Sequence, residues 1–516
     1  MYAGDALSVV QTGQLSLAGF RADALVSTSL LSVGSSVTGI TPLLLAQPLY
    51  AVIGSTGVLL GAVFARRLGL GLGWSHSRTQ RAVILAAFAL AVEGVYLRRT
   101  GVPDDDAITL ITIPLIALAI HTYVRTERLS WLGVATVLLV ALPLTHTFST
   151  LVAAFVIAGL LAGTFVGRPL TRGRVVVVGL FVGFCAYFAG YYAWASTVSL
   201  VVPYVDRVQG APGLFVAWIV VLVICIPWFV RTTTTARQVT AIVPLAFVFA
   251  AIAINSVVVV FPGTAATPQI VLLLVLPFAI PALLGAAGGH WLGNDGPAAL
   301  PLLALFVGPV ILICYSFTAG LTPEYVATAL RAQTHLHLSV LVVAAGVAAR
   351  MDPPHWLVSN TPVRSLPAKV RPVILAILVV AVLATLPLGY VNLDTGSYPS
   401  TTTESEFAAA SYSVDHIAGQ WTSSHTQVRV AGNYYDGARG AVSPTASWLQ
   451  GGAPPNCPVV SQRSWTTTGA HLFPAAPASV SASTYEAFLQ DRFRVYDAGG
   501  YDPTIITIAL ENRETC

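Results

Sequence analysis

Charge is what this chain has least of. Only 9% of its 516 residues are Asp, Glu, Lys or Arg, against about 25% in soluble domains. That shortage excludes an ordinary water-soluble globule. Lysine is nearly missing: Lys369 is the one lysine among 26 basic residues. So thin a basic content excludes a nucleic-acid surface. No Walker loop and no GxGxxG after a strand is found, so no nucleotide cofactor is expected. The apolar runs lack strict alternation, which excludes the strands of a membrane barrel. What remains is apolar: 55% of the residues are hydrophobic and the mean hydropathy is +0.75.

These runs predict a mainly α, polytopic bundle in a lipid bilayer. Twelve spans are expected, at about 41–64, 82–97, 107–124, 130–145, 147–167, 175–196, 213–230, 238–261, 269–288, 298–320, 335–349 and 371–393. A bilayer asks for roughly 20 helical residues per span, so the second, fourth and eleventh are short. Thr145-His146-Thr147, following Pro143, splits the fourth from the fifth. Placing Arg66, Arg67, Arg78 and Arg81 in the cytoplasm carries Arg125, Arg128, Arg168, Arg172, Arg174, Arg231, Arg237, Arg350, Arg364, Lys369 and Arg371 there by alternation. Arg21, Arg98, Arg99, Arg207 and Arg331 fall on the other side, the bias of the positive-inside rule. Three units follow: residues 1–40 as a first extracytoplasmic loop, 41–393 as the helical domain, and 394–516 as an extracytoplasmic α/β domain. A chain that opens on the outer side implies that one upstream span is missing.

In the tail, Thr395 to Thr403 reads as a linker and Glu404 to Trp421 as an amphipathic helix. Val428-Arg-Val430 reads as a short strand, Tyr485 to Asp491 as a helix, and Phe493 to Ile508 as a terminal hairpin. Cys185, Cys225 and Cys314 sit in apolar runs as small buried side chains. Cys457 and Cys516 lie in the polar tail and would pair as a disulfide if the tail is outside the cell.

Acids at a membrane edge mark function, because they are costly there. Asp104, Asp105 and Asp106 stand together between the second and third spans. Such a triplet suits either an acceptor hydroxyl or a divalent cation such as Mg or Mn, with Asp105 and Asp106 as ligands; equally, aspartates cap a helix N-terminus. Asp5 follows Gly4 in the first loop, and the two sites are expected to meet over one hollow. Glu93 is expected to pair with Arg98 and Arg99. His146 sits at the kink, where a polar break at membrane depth lines a cavity or is buried in protein. The segment 322–337 is an interfacial helix with Glu324, Arg331, His335 and His337. Arg331 and a histidine suit a phosphate, as does Arg207 beside Asp206. His335 and His337, two apart, do not share a helix face.

This arrangement resembles the GT-C superfamily of membrane glycosyltransferases. Gly4-Asp5 stands where that family places a catalytic acid in its first outer loop. Asp104-Asp105-Asp106 stands where several branches place a second acidic motif. Thr145-His146-Thr147 is similar to the family's Thr-His kink. The tail lacks a WWDYG-like peptide-recognition motif, the nearest string being Asn433-Tyr-Tyr-Asp-Gly437. The resemblance therefore implies transfer of a monosaccharide from a polyprenyl phosphate to a lipid, polysaccharide or protein of the cell envelope. Asp5 and the triplet would be catalytic, and Arg207, Arg331, His335, His337, His146 and Glu324 would bind substrate. A secondary transporter is the first alternative, though it would carry acids at mid-membrane. A non-catalytic assembly or export subunit of surface-polysaccharide synthesis is the second. The donor, the acceptor and the oligomeric state are not readable from the residues.

Overall fold

The computed structural model describes residues 2–516 apart from 18–19, 167–170, 199, 204–207, 209, 261–266, 268, 294–295, 297, 351–369, 390–401, 436, 438, 501 and 510–515. Arg207, Asp206, most of the 395–403 linker and Asp436 therefore lie outside the described residues.

Residues 1–40, expected as a loop, carry two helices, α1 (Tyr2–Thr12) and α2 (Leu25–Thr38). Then come α3 (Pro42–Gly71), α4 (His76–Val92), α5 (Gly94–Gly101), α6 (Asp105–Thr126), α7 (Leu129–Ala141), α8 (Thr147–Thr164), α9 (Arg172–Thr197), α10 (Pro212–Arg231) and α11 (Thr234–Asn255). The bundle continues through α12 (Gln269–Val275), α13 (Ala279–Gly288), α14 (Ala299–Ala319), α15 (Pro323–Thr334), α16 (His337–Ala349) and α17 (Val370–Thr385). Among the described residues nine helices are long and apolar enough to cross a membrane, or ten if the bent pair α4–α5 is one span. The chain is thus a helical, multi-pass type of membrane protein. The expected second span is broken at Glu93 by a 66° bend.

Composition decides which helix lies at the centre. A helix apolar all round has no face to offer water and is buried or lipid-facing. α8 is such a helix and is enclosed along nearly its whole length, whereas α9, α10 and α11 leave most of theirs uncovered. Small residues let the centre close: a Cβ at Gly308 of α14 would stand 2.8 Å from Val156 of α8, the close backbone approach that membrane interfaces use.

After residue 401 the chain forms a small α/β unit. Its elements are α18 (Glu404–His416), β1 (Trp421–Thr422), α19 (His425–Tyr434), β2 (Gly440–Ala441), α20 (Ser443–Leu449), β3 (Val459–Gln462), α21 (Ala482–Gln490), β4 (Arg492–Asp497) and β5 (Thr504–Ala509). The sheet order is β2-β1-β3-β5-β4, with β3, β5 and β4 antiparallel. The terminal hairpin forms as expected. Val428-Arg-Val430, expected as a strand, lies inside α19. Its helix is started by Ser424, whose hydroxyl accepts from the Gln427 amide, while Ala431 and, less completely, Val428 pack into the core with Trp421 and Val460. A disulfide joins Cys457 to Cys516.

α1 packs against α19 of the second unit. A Cβ at Gly4 would meet the Asn433 carbonyl of α19 at 2.5 Å. The glycine of Gly4-Asp5 is thus required by close packing.

Candidate functional site

Most of the residues singled out above gather at one end of the bundle, at helix termini. The N-terminus of α6 supplies Asp104, Asp105 and Asp106, the N-terminus of α8 supplies His146, and the α15–α16 junction supplies Arg331 and His335. Helix ends leave polar backbone groups unsatisfied, so this end of an apolar bundle is where polar side chains find partners.

Consecutive residues on a helix diverge, and the triplet does so. Asp104 stands at the N-cap position without capping and lies 3.8 Å from Arg99. Asp105, fully buried, accepts hydrogen bonds from the hydroxyls of Tyr2 and Ser27. Asp106, also buried, accepts from Arg99 Nη1 on Oδ2 at 3.4 Å. Its Oδ1 lies 3.4 Å from His146 Nδ1 but accepts no hydrogen bond among the described residues.

The reason is that Nδ1 is turned to Ser149 Oγ, 2.9 Å away. Ser149 donates to Thr109 Oγ1 at 2.8 Å, and Thr109 donates to the Asp106 carbonyl at 3.2 Å. Ser149 has spent its proton and so accepts from the imidazole. The tautomer inferred from this chain is Nδ1–H, leaving Nε2 as an acceptor facing Arg331 Nη1 at 3.4 Å. Burial pushes the His146 pKa below its ordinary value, against the opposing pull of Asp106. The ring is therefore neutral at neutral pH, as that hydrogen-bond chain requires. Arg331, Arg99 and His335 all lie close enough to act on the Asp106 charge, and the Phe148 ring stands 5.8 Å from His146 and 6.1 Å from His335.

A clamp holds the kink itself. Asp23, fully buried, accepts from the Thr147 amide at 3.0 Å and hydroxyl at 2.9 Å. It also takes both arms of Arg21 at 2.9 Å. Burial opposes the Asp23 charge, but Arg21 outweighs it and holds the carboxyl below its usual range. The Arg21 pKa is raised in turn: Asp23 overcomes the cost of burial. For Tyr2, burial and then Asp105 push the phenol well above its ordinary value, so it stays a proton donor.

Asp5 goes elsewhere. It lines a cavity of about 520 Å³ between α1 and α19, with Ser8, Gln11, Arg21, Arg429 and Asn433. The triplet is not among the lining residues. α1 touches both acidic sites, through Tyr2 on Asp105 and Asp5 on the cavity. The expectation for Glu93 is corrected. It is fully buried, caps α5 through the Val95 and Tyr96 amides at 3.1 and 2.8 Å, and holds His337 Nδ1 at 2.7 Å. Arg98 and Arg99 lie in the last turn of α5, away from that cap. His337 also stacks on Phe278 at 4.5 Å, so it is removed from His335, as their spacing implied. Glu324 stands in the first turn of α15.

Among the described residues no three His, Cys, Asp or Glu side chains converge on a metal position, and the Asp105 and Asp106 carboxylates face different partners. Tyr2, Asp23 and Ser27 were not singled out from the sequence. The one available signal was the charged pair Arg21 and Asp23 in a chain so poor in charge. No known protein-family model and no curated protein matches the chain.

Proposed function

We propose that the chain is a membrane glycosyltransferase of GT-C type. It moves a sugar from a polyprenyl phosphate to an envelope acceptor on the extracytoplasmic face. In this reading the bundle crosses the membrane twelve times and the α/β unit lies outside, where a Cys457–Cys516 disulfide persists.

One observation carries the proposal. Tyr2 and three segments far apart in sequence, 104–106, 145–149 and 331–335, converge at one end of the bundle, and Asp5, on the same helix as Tyr2, lines the adjoining cavity. Arg331 binds the phosphate of the lipid-linked sugar, and neutral His146 accepts one guanidinium proton to fix its direction. Asp106 Oδ1, which accepts no hydrogen bond among the described residues, receives a hydroxyl of the bound sugar. Asp5 takes the proton of the acceptor hydroxyl as its oxygen bonds to the anomeric carbon. The bond from that carbon to the phosphate oxygen breaks, and the polyprenyl phosphate leaves with the electron pair. Its new charge falls beside Arg331, where fixed positive charge favours the transition state.

The test is transfer of labelled sugar from a panel of polyprenyl-phosphate donors by the full chain in nanodiscs. Asp5→Asn is expected to lower the rate about 10²–10⁴-fold. Full retention by that variant removes Asp5 from the chemistry, and no transfer by the unaltered chain removes the reading.

A further inference from the structure

We infer that the cavity between α1 and α19 is a binding site for a neutral oligosaccharide, which the glycosyl-transfer reading makes the acceptor. Its walls come from two units. α1 presents Asp5, Ser8 and Gln11; α19 and the residue after it present Arg429, Gly432, Asn433, Tyr434 and Tyr435. At about 520 Å³ it falls within the roughly 300–1,000 Å³ of small-molecule sites, which favour such junctions.

The chemistry of the lining selects the ligand. A carboxylate, two carboxamides, two serine hydroxyls and two guanidiniums supply donors and acceptors side by side. Vicinal hydroxyls, each both donor and acceptor, match such a wall. The Tyr434 and Tyr435 rings stand perpendicular at 4.9 Å, and Phe407 fixes Tyr434 from behind at 5.4 Å. Rings fixed in this way offer an apolar face with a polar tip, which suits the C–H face of a sugar. Charge narrows the class further. Arg21 is neutralised by the buried Asp23, and the lining carries one further residue of each sign, Asp5 and Arg429. Among the described residues the wall has no net charge, which favours neutral sugars over uronates.

The cavity also adjoins the cluster on the bundle. Arg21 lines it, holds Asp23, and through Asp23 holds Thr147 beside His146. A saccharide seated there lies against the end of the bundle where Arg331 stands.

Isothermal titration of the full chain in nanodiscs tests this with three probes of similar size: mannotriose, trigalacturonate and a serine-threonine hexapeptide. Mannotriose is expected to bind. Gly432→Phe should weaken it about tenfold or more with an unchanged unfolding midpoint, since a Cβ at Gly432 has nothing nearer than the Gly437 carbonyl at 3.8 Å. Asn433→Ala replaces it if that variant does not fold. Binding of trigalacturonate or the peptide alone, no binding of mannotriose, or unchanged affinity in the variants overturns the inference. Mannotriose binding without transfer from any donor keeps the cavity and removes the glycosyltransferase reading. Undiminished transfer by Gly432→Phe does the reverse.

Discussion

Two buried acids of the bundle meet a histidine, and they do so differently. Glu93 is closed. Its two oxygens take two backbone amides and the His337 ring, and Phe278 covers that ring. Asp106 is open. One oxygen takes Arg99, the other takes nothing among the described residues, and the neighbouring imidazole is bonded to Ser149. A buried polar atom without a partner costs about 1–3 kcal/mol, more if charged. A fold keeps a closed pair for its geometry. It keeps an open one where something else completes the set.

The sharpest way to break this comparison is to neutralise the acid of the closed pair and replace the histidine of the open one. Glu93→Gln should destabilise the chain by about 3–5 kcal/mol, the cost of removing one partner of a buried pair. The unfolding midpoint in nanodiscs reads this. His146→Gln, by contrast, should leave that midpoint nearly in place while lowering sugar transfer. A larger stability loss at His146 than at Glu93 would reverse the two roles.

A smaller effect separates the bundle from the α/β unit. Cys457→Ser frees a bridge spanning 59 residues, and such a bridge is worth about 2–4 kcal/mol. Proteolysis of the 402–516 region should speed up, with the bundle's cleavage pattern unchanged. The smallest effect is a pH dependence. Burial, and then His425, pull the His471 pKa from 6.5 down to about 4. Between those values the unfolded chain binds the proton and the folded one does not. That contribution is full above pH 6.5 and is lost as the pH falls toward 4. His471→Phe should flatten this slope in the unfolding of the α/β unit.

How much of this was legible beforehand follows from range. The apolar runs announced most of the long helices, because a span is a local property. The spacing of His335 and His337 announced that they part, because helix periodicity is local too. The Glu93–His337 pair joins residues 244 apart, and no local pattern encodes it. Tyr2 on Asp105 is the same case. Val428-Arg-Val430 misled because three alternating residues fit a strand, while the stronger signal was the helix-starting Ser424 upstream. Asp23 was within reach: a carboxylate two residues from Arg21 in so uncharged a chain is seldom idle.

The bend at Glu93 has a mechanical corollary. α5 is eight residues long, a lever of about 12 Å at 1.5 Å per residue. Its fulcrum is the Glu93 cap, where Gly94 is pressed so close to the Thr385 carbonyl that an added Cβ would lie 1.8 Å from it. The far arm carries Arg99, the cation on Asp106. Arg99 stands six residues, or about 9 Å, beyond Glu93, so a swing of α5 by about 10° would displace its backbone by about 1.5 Å. Whatever wedges against His337 could thereby be felt at Asp106, with no other helix having to travel.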